Sequence, residues 1–115
     1  MQVLFKSRHP QGAQLRDLAF ERVRFAMRRL TWLVPRARVQ FSDINGPRGG
    51  LDKRCKVEIQ TETNGSIVVT SVARDWRSAL DQALVRASRA LLRAWRRSRA
   101  HNRPQPRELA TQRQQ

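Results

Sequence analysis

Several residue types are scarce in this sequence, and each shortage excludes a class of protein. Cys55 is the single cysteine, which excludes an intrachain disulfide and a cysteine-rich metal site. We expect it to be a buried, reduced thiol. No apolar run approaches the roughly 20 residues needed to span a bilayer. The first residues, MQVLFKSRH, have no apolar core of the kind found in secretion signals. A cytoplasmic protein is therefore expected.

Negative charge is the scarcest property of all. The 115 residues include 24 lysines and arginines against 9 aspartates and glutamates, giving a formal net charge of +15. Self-repulsion of this size disfavours a compact chain unless a polyanion compensates it. Nucleic acid is the first such partner, because basic clusters neutralise phosphates and release counterions. An anionic membrane surface is the second.

The hydrophobic residues change their spacing along the chain, and this predicts the fold. They alternate within residues 2–8, 38–42, 54–60 and 66–73, which predicts four strands. They follow a helical period from Gln14 to about Leu33, ended by Pro35, and again after the N-cap residue Asp75. The predicted fold is therefore α+β, in the order β-α-β-β-β-α, with a four-stranded sheet and two helices packed on one face. We assign it to residues 1–99 and expect residues 100–115 to form a disordered polar tail.

The predicted core lies on one face of each element. On the strands it comprises Val3, Phe5, Val39, Phe41, Cys55, Val57, Ile59, Ile67, Val69 and Ser71. On the first helix it comprises Leu15, Leu18, Ala19, Val23, Ala26, Leu30 and Leu33. On the second it comprises Leu80, Ala83, Leu84, Ala87, Leu91 and Ala94, with Trp95 at the edge. The turn sequence Asn64-Gly65 predicts that the last two strands form a hairpin.

The second helix carries a long run of positive charge. Its segment RASRALLRAWRRSR has six arginines, and no acid occurs between Gln82 and Arg107. At about 100° per residue, five of them form a band opposite the apolar face. This band, here called the arginine ridge, comprises Arg86, Arg89, Arg93, Arg96 and Arg97. Because arginines four residues apart repel each other, the missing negative charge is expected to belong to a partner.

The segment DWRSALDQALVRASRALLR resembles the second-helix signature of the HPF/RaiA ribosome hibernation factors. The opening positions of that signature are occupied here by Asp75, Ala79, Leu80 and Asp81, and its basic positions by Arg86, Arg89 and Arg93. MQVLFKSRH resembles the family's first strand. QLRDLAFERVRFAMRRL resembles its first helix, in which Arg22 and Arg28 stand where lysine is usual. In contrast, Phe25 replaces a common lysine, and the loop from Asn45 to Cys55 is longer than in small members.

The resemblance implies a short-form factor without a cofactor, monomeric off the ribosome. Such factors bind the small ribosomal subunit near the decoding centre and inhibit translation by covering the mRNA and tRNA sites. No dimerising second domain is recognisable, which weakens the expectation that this chain itself pairs ribosomes and leaves open whether it promotes or blocks pairing. Contacts with 16S rRNA are expected from three groups of residues: the arginine ridge; Arg22, Arg24 and Arg28 on the first helix; and Lys53, Arg54 and Lys56 around the third strand.

Other interpretations compete with this one. A double-stranded-RNA-binding module has the order α-β-β-β-α, which this chain matches if its first strand is left out. A basic adaptor that docks on an acidic protein is also compatible with the charge. The tryptophans Trp32, Trp76 and Trp95 are expected to pack at the rim of the core rather than stack on bases. The loop NGPRGG, residues 45–50, is either a plain connection or a basic RNA contact.

Catalysis is not expected. His9 and His101 have no candidate nucleophile beside them in sequence. Asp43 and Asp52 are residue types that ligate metals, but the neighbouring Lys53, Arg54 and Arg48 favour charge pairing instead.

Overall fold

The computed structural model describes residues 1–44, 52–62 and 65–102, the last three by their backbone alone. Its strands are β1 (Gln2–Ser7), β2 (Arg36–Asp43), β3 (Lys53–Gln60) and β4 (Ser66–Ala73). Its helices are the single turn α1 (Pro10–Ala13), α2 (Arg16–Ala26) and α3 (Trp76–Asn102). The predicted α+β class and the β-α-β-β-β-α order are confirmed, with α1 as an additional turn after the first strand.

The strands form one mixed sheet in the order β1-β2-β3-β4. β1 is parallel to β2, with Val3 opposite Ala37 and Phe5 opposite Val39. A parallel pair needs a long crossover, which α1 and α2 provide. β3 is antiparallel to both of its neighbours, so the predicted hairpin of β3 and β4 is confirmed. Gly65, directly before β4, has a positive φ of 73°, a conformation that glycine adopts without strain.

The core lies between one face of the sheet and the two long helices. All the apolar residues predicted to face inward on α3 are buried: Leu80, Ala83, Leu84, Ala87, Leu91 and Ala94. Phe41 lies at the centre, stacked on Trp76 at a ring distance of 4.9 Å and contacted edge-on by Phe5 at 5.3 Å. Because each element has a single apolar face, stacking the helices on one side of the sheet buries all of these faces together.

α2 is shorter than its apolar period predicts, since it ends at Ala26 rather than near Leu33. Beyond Ala26 the backbone continues in tighter turns. Leu30 N–H donates to the Met27 carbonyl at 2.9 Å, and Leu33 N–H donates to that of Leu30 at 2.9 Å. These three-residue turns place Leu33 in the core before β2 begins.

The turn α1 forms where the sequence predicted only a break. Pro10 occupies its first turn, and His9 Nδ1 accepts a hydrogen bond from Gln11 N–H at 3.2 Å. A Cβ on Gly12 would lie 2.5 Å from Ser7 Oγ, so only glycine lets the turn pack this closely on the sheet.

α3 begins at the predicted cap. Asp75 Oδ1 accepts from the backbone N–H of Ser78 at 2.8 Å, and Oδ2 accepts from its hydroxyl at 3.0 Å. The helix continues to Asn102, past the predicted domain boundary at residue 99. The rest of the predicted tail and the loop of residues 45–50 lie outside the described residues. Within the described ranges, no helix is both long and apolar enough to cross a membrane.

Candidate nucleic-acid interface

The arginine ridge lies along the solvent-exposed side of α3. All five of its residues are exposed. No carboxylate of the described residues lies within 4.0 Å of a ridge guanidinium. The four ion pairs formed among the described residues all involve residues outside the ridge. Four of the five ridge side chains, Arg89, Arg93, Arg96 and Arg97, also form no hydrogen bond within the described part of the chain. Their charge is therefore available to an anionic partner.

Arg86 differs from the rest of the ridge because it also holds the edge of the sheet. Its Nη1 donates to the Thr70 carbonyl at 2.8 Å and to Ser71 Oγ at 3.2 Å. β4 is an edge strand, and an unpaired carbonyl on such an edge is open to association with other chains. Arg86 thus shields part of this edge while the arginine itself remains exposed.

The three arginines predicted on the first helix have different surroundings. Arg22 Nη1 donates to both carboxylate oxygens of Asp81, at 2.6 and 2.8 Å, and so joins α2 to α3. Arg28 places its guanidinium 4.1 Å from the ring centre of Phe25 and donates to that residue's carbonyl at 2.8 Å. Arg24 lies 5.8 Å from the ring of Phe20. Arg24 and Arg28 remain exposed, whereas Arg22 is half-buried in its ion pair.

A groove of about 450 Å³ runs between the end of α2 and α3. This interhelical groove has an apolar lining of Ala26, Met27, Leu30, Leu91, Leu92 and Trp95, and it is bordered by Arg28, Arg29, Arg89 and Arg96. The structure therefore brings Arg28 together with two residues of the ridge. Arg29, which was not among the predicted contacts, joins them because it follows Arg28 in the turn that ends α2.

Lys53 lies on the core side of the sheet, and its charge is already balanced. Its Nζ lies 3.0 Å from Asp43 Oδ2 and 3.2 Å from Asp52 Oδ1. The hydrogen bond to Asp43 raises the pKa of Lys53, and contact with Asp52 adds to this effect. Because Asp52 is fully buried, the ammonium compensates a carboxylate that has left water. The charge pairing expected of these two acids is thus found with Lys53.

Arg54 and Lys56 lie on the opposite, open face of the sheet. Strand alternation and register place them with the other basic residues of this face, Lys6, Arg36 and Arg38. Arg54 Nε donates to Ser42 Oγ at 3.0 Å, and Arg38 lies 3.5 Å from Glu58. The predicted contact residues are consequently divided between two faces of the domain, with the sheet between them.

Comparison with known proteins finds a likeness at the level of the fold. No family model matches the chain, and no curated protein matches it in sequence. The chain is similar in fold to a ribosomal subunit interface protein from Coxiella burnetii. The likeness has a TM-score of 0.62 and covers 81% of this chain and 96% of that one, at 15% sequence identity. At that identity the likeness concerns the fold, and it agrees with the fold that the HPF/RaiA resemblance implies.

The structure bears on the double-stranded-RNA-binding interpretation and on the residues considered for catalysis or metal binding. The double-stranded-RNA-binding module requires that the first strand be absent, yet β1 pairs with β2 along its full length from Gln2 to Ser7. His9 caps α1 through Nδ1, which gives it a structural use. Among the described residues, no three histidine, cysteine or acidic side chains cluster as metal ligands would.

The tryptophans do not behave alike. Trp95 is partly buried against the core, as expected of a residue at its rim, whereas Trp76 is buried within the core itself. Trp32, in contrast, is 63% exposed, so the expected packing at the core rim is wrong for this residue. The sequence signal was ambiguous here, because Trp32 stands between the apolar residues Leu30 and Leu33.

Proposed function

We propose that the chain binds the small ribosomal subunit through 16S rRNA near the decoding centre and inhibits translation by covering the mRNA and tRNA sites. The observation that carries this proposal is the arginine ridge, which is exposed and has no acidic partner among the described residues. A rigid helix presents these guanidinium groups as one surface, and guanidinium groups bind phosphates in a fork geometry.

The distribution of charge supports rRNA as the partner. Phosphate contacts position a protein on RNA without reading its sequence, and folded RNA is recognised largely by shape. A ridge of arginines beside a groove suits a shaped polyanion of this kind. The fold likeness to a ribosomal subunit interface protein and the family resemblance in α3 support a ribosomal partner for the proposal. The proposed factor acts as a cytoplasmic monomer.

Co-sedimentation with purified small subunits tests the proposal. The ridge variant carries Arg89, Arg93 and Arg97→Gln. Its matched control carries Lys6, Arg8 and Arg36→Gln, which lie on β1, directly after it and at the start of β2. Both remove three positive charges from exposed residues without a described ion-pair partner. We expect the wild type and the control to sediment with the subunit, and the ridge variant to stay largely at the top of the gradient.

Three outcomes would contradict the proposal. If the wild type stays at the top at low salt, the subunit is not the partner. If the chain binds free duplex RNA as tightly as it binds the small subunit, a general RNA-binding module is the better description. If nuclease treatment leaves the complex intact, the partner is an acidic protein, as an adaptor requires.

A further inference from the structure

The largest exposed apolar side chains on the helical side of the domain lie around the interhelical groove. Phe25 is 64% exposed and Trp32 is 63% exposed. The centre of the Phe25 ring lies 4.1 Å from the guanidinium of Arg28 on the border of the groove, and Trp32 contacts Trp95 on the groove wall. Each of these exposed side chains therefore contacts a residue of the groove, which makes the groove a candidate surface for a ligand to cover.

The indole rings of Trp32 and Trp95 pack against each other at the wall of this groove. Trp32 and Trp95 meet edge to face, with ring centres 6.2 Å apart and an interplanar angle of 84°. Trp95 is additionally covered by the Arg99 guanidinium, 5.0 Å from its ring centre. Trp95 is therefore fixed by packing, whereas most of the Trp32 surface remains open to solvent.

The border of the groove defines the charge of its ligand. Arg28 and Arg29 stand on the α2 side, and Arg89 and Arg96 stand on the α3 side. No described acid pairs with any of them. A ligand that matches both features must carry negative charge next to a flat apolar group. A nucleotide has both, and the groove volume of about 450 Å³ falls within the range of small-ligand sites.

We propose that an unpaired nucleobase of single-stranded RNA stacks on Trp32 at this groove, with its flanking phosphates held by the bordering arginines. The inference rests on the proposed function, because it takes RNA as the partner. It adds a preference that the ridge alone does not produce, namely for bases that are free of a duplex. Bases in a duplex are stacked and hidden, so only loops, bulges or single strands can use the site.

Two oligonucleotides of equal charge test the inference. One is an oligouridylate of about 12 nucleotides, a length that such surfaces cover. The other is a ribose-phosphate chain of the same length without bases. Fluorescence anisotropy with the full chain should show that the wild type binds oligouridylate at least about fivefold more tightly, since stacking of one base contributes that much or more.

Single substitutions then locate the effect. Trp32→Ala should bind the two oligonucleotides equally, and Trp32→Phe should restore the preference because it retains an aromatic ring. Val68→Ala, an exposed apolar truncation on the open face of the sheet, serves as control and should leave the preference unchanged. Circular dichroism checks folding, which the 63% exposure of Trp32 makes insensitive to its removal.

The results separate this inference from the proposed function. If the wild type shows no preference for bases, or if Trp32→Ala retains it, base stacking at the groove is refuted. Co-sedimentation of Trp32→Ala with the small subunit is scored separately. Failure of the wild type to bind the subunit would refute the proposed function, whatever the oligonucleotides show.

Discussion

The ridge variant allows a quantitative prediction about salt. It removes Arg89, Arg93 and Arg97, whose guanidinium groups lack an ion-pair or hydrogen-bond partner among the described residues. If each contacts one phosphate, the slope of log K against log salt should fall in magnitude by about 2 to 2.7. The ratio of wild-type to variant affinity should consequently widen about 16- to 40-fold between roughly 200 and 50 mM salt.

The variant should fold at least as well as the wild type. Arg89 and Arg93 are like charges four residues apart on one helix, and so are Arg93 and Arg97. Removing such pairs relieves about 0.2–0.5 kcal/mol of repulsion each. Any loss of binding therefore reflects lost contacts with the partner rather than lost structure, and thermal unfolding provides the check.

The assay is a filter-binding titration against small subunits at several salt concentrations. The control variant, Lys6, Arg8 and Arg36→Gln, changes the net charge by the same amount. Equal slopes for the ridge variant and the wild type would refute the reasoning. Equal decreases for both variants would mean that overall charge, and not the ridge, determines binding.

Three further predictions concern single sites. Replacing Arg22 and Asp81 by alanine, singly and together, should give a coupling of about 0.5–1 kcal/mol in urea unfolding, because the pair is half exposed; a coupling near zero would contradict a role in joining the helices. Hydrogen bonds from Ser78 lower the pKa of Asp75 in the folded chain from its ordinary value of 3.8. The stability that this carboxylate provides is therefore present above that pH and lost as the pH falls through the lowered pKa. Asp75→Ala should cost about 0.5–2 kcal/mol near neutral pH and progressively less in acid, whereas a pH-independent cost would contradict the cap. Burial raises the pKa of the Cys55 thiol to about 12, so it should react with a thiol reagent near neutral pH only after unfolding in urea; rapid reaction of the native protein would show that the thiol is accessible.

The periodic parts of the sequence predicted the fold well because burial there depends on local position. Each inward position of α3 from Leu80 to Ala94 is buried, since a helix repeats its faces every three or four residues whatever it packs on. Strand alternation likewise placed Val39, Val57 and Val69 correctly. The end of α2 was predicted poorly, because the three-residue turns after Met27 keep apolar side chains at nearly helical spacing.

The site was predicted less well because its residues were grouped by charge rather than by face. Lys53 precedes Cys55 by two positions, so alternation already placed it on the core side with that cysteine. Its partner Asp43 is its direct cross-strand neighbour. Arg22 shows a stricter limit, since Asp81 lies 59 residues away in sequence. Neither the helical period nor the local charge pattern contains that contact.

The two basic faces of the domain differ in how their charges are paired and in whether an aromatic residue lies beside them. These differences decide which face is the better candidate for the proposed RNA binding. The open face of the sheet has the basic residues Lys6, Arg36, Arg38, Arg54 and Lys56, but Arg38 is paired with Glu58 and Arg54 is bonded to Ser42. Its outward strand positions hold no aromatic residue on which a base could stack. The helical side combines unpaired arginines with the exposed indole of Trp32 at a groove. Because charge alone is present on both faces, the arrangement of that charge beside an aromatic surface favours the helical side for the proposed RNA binding.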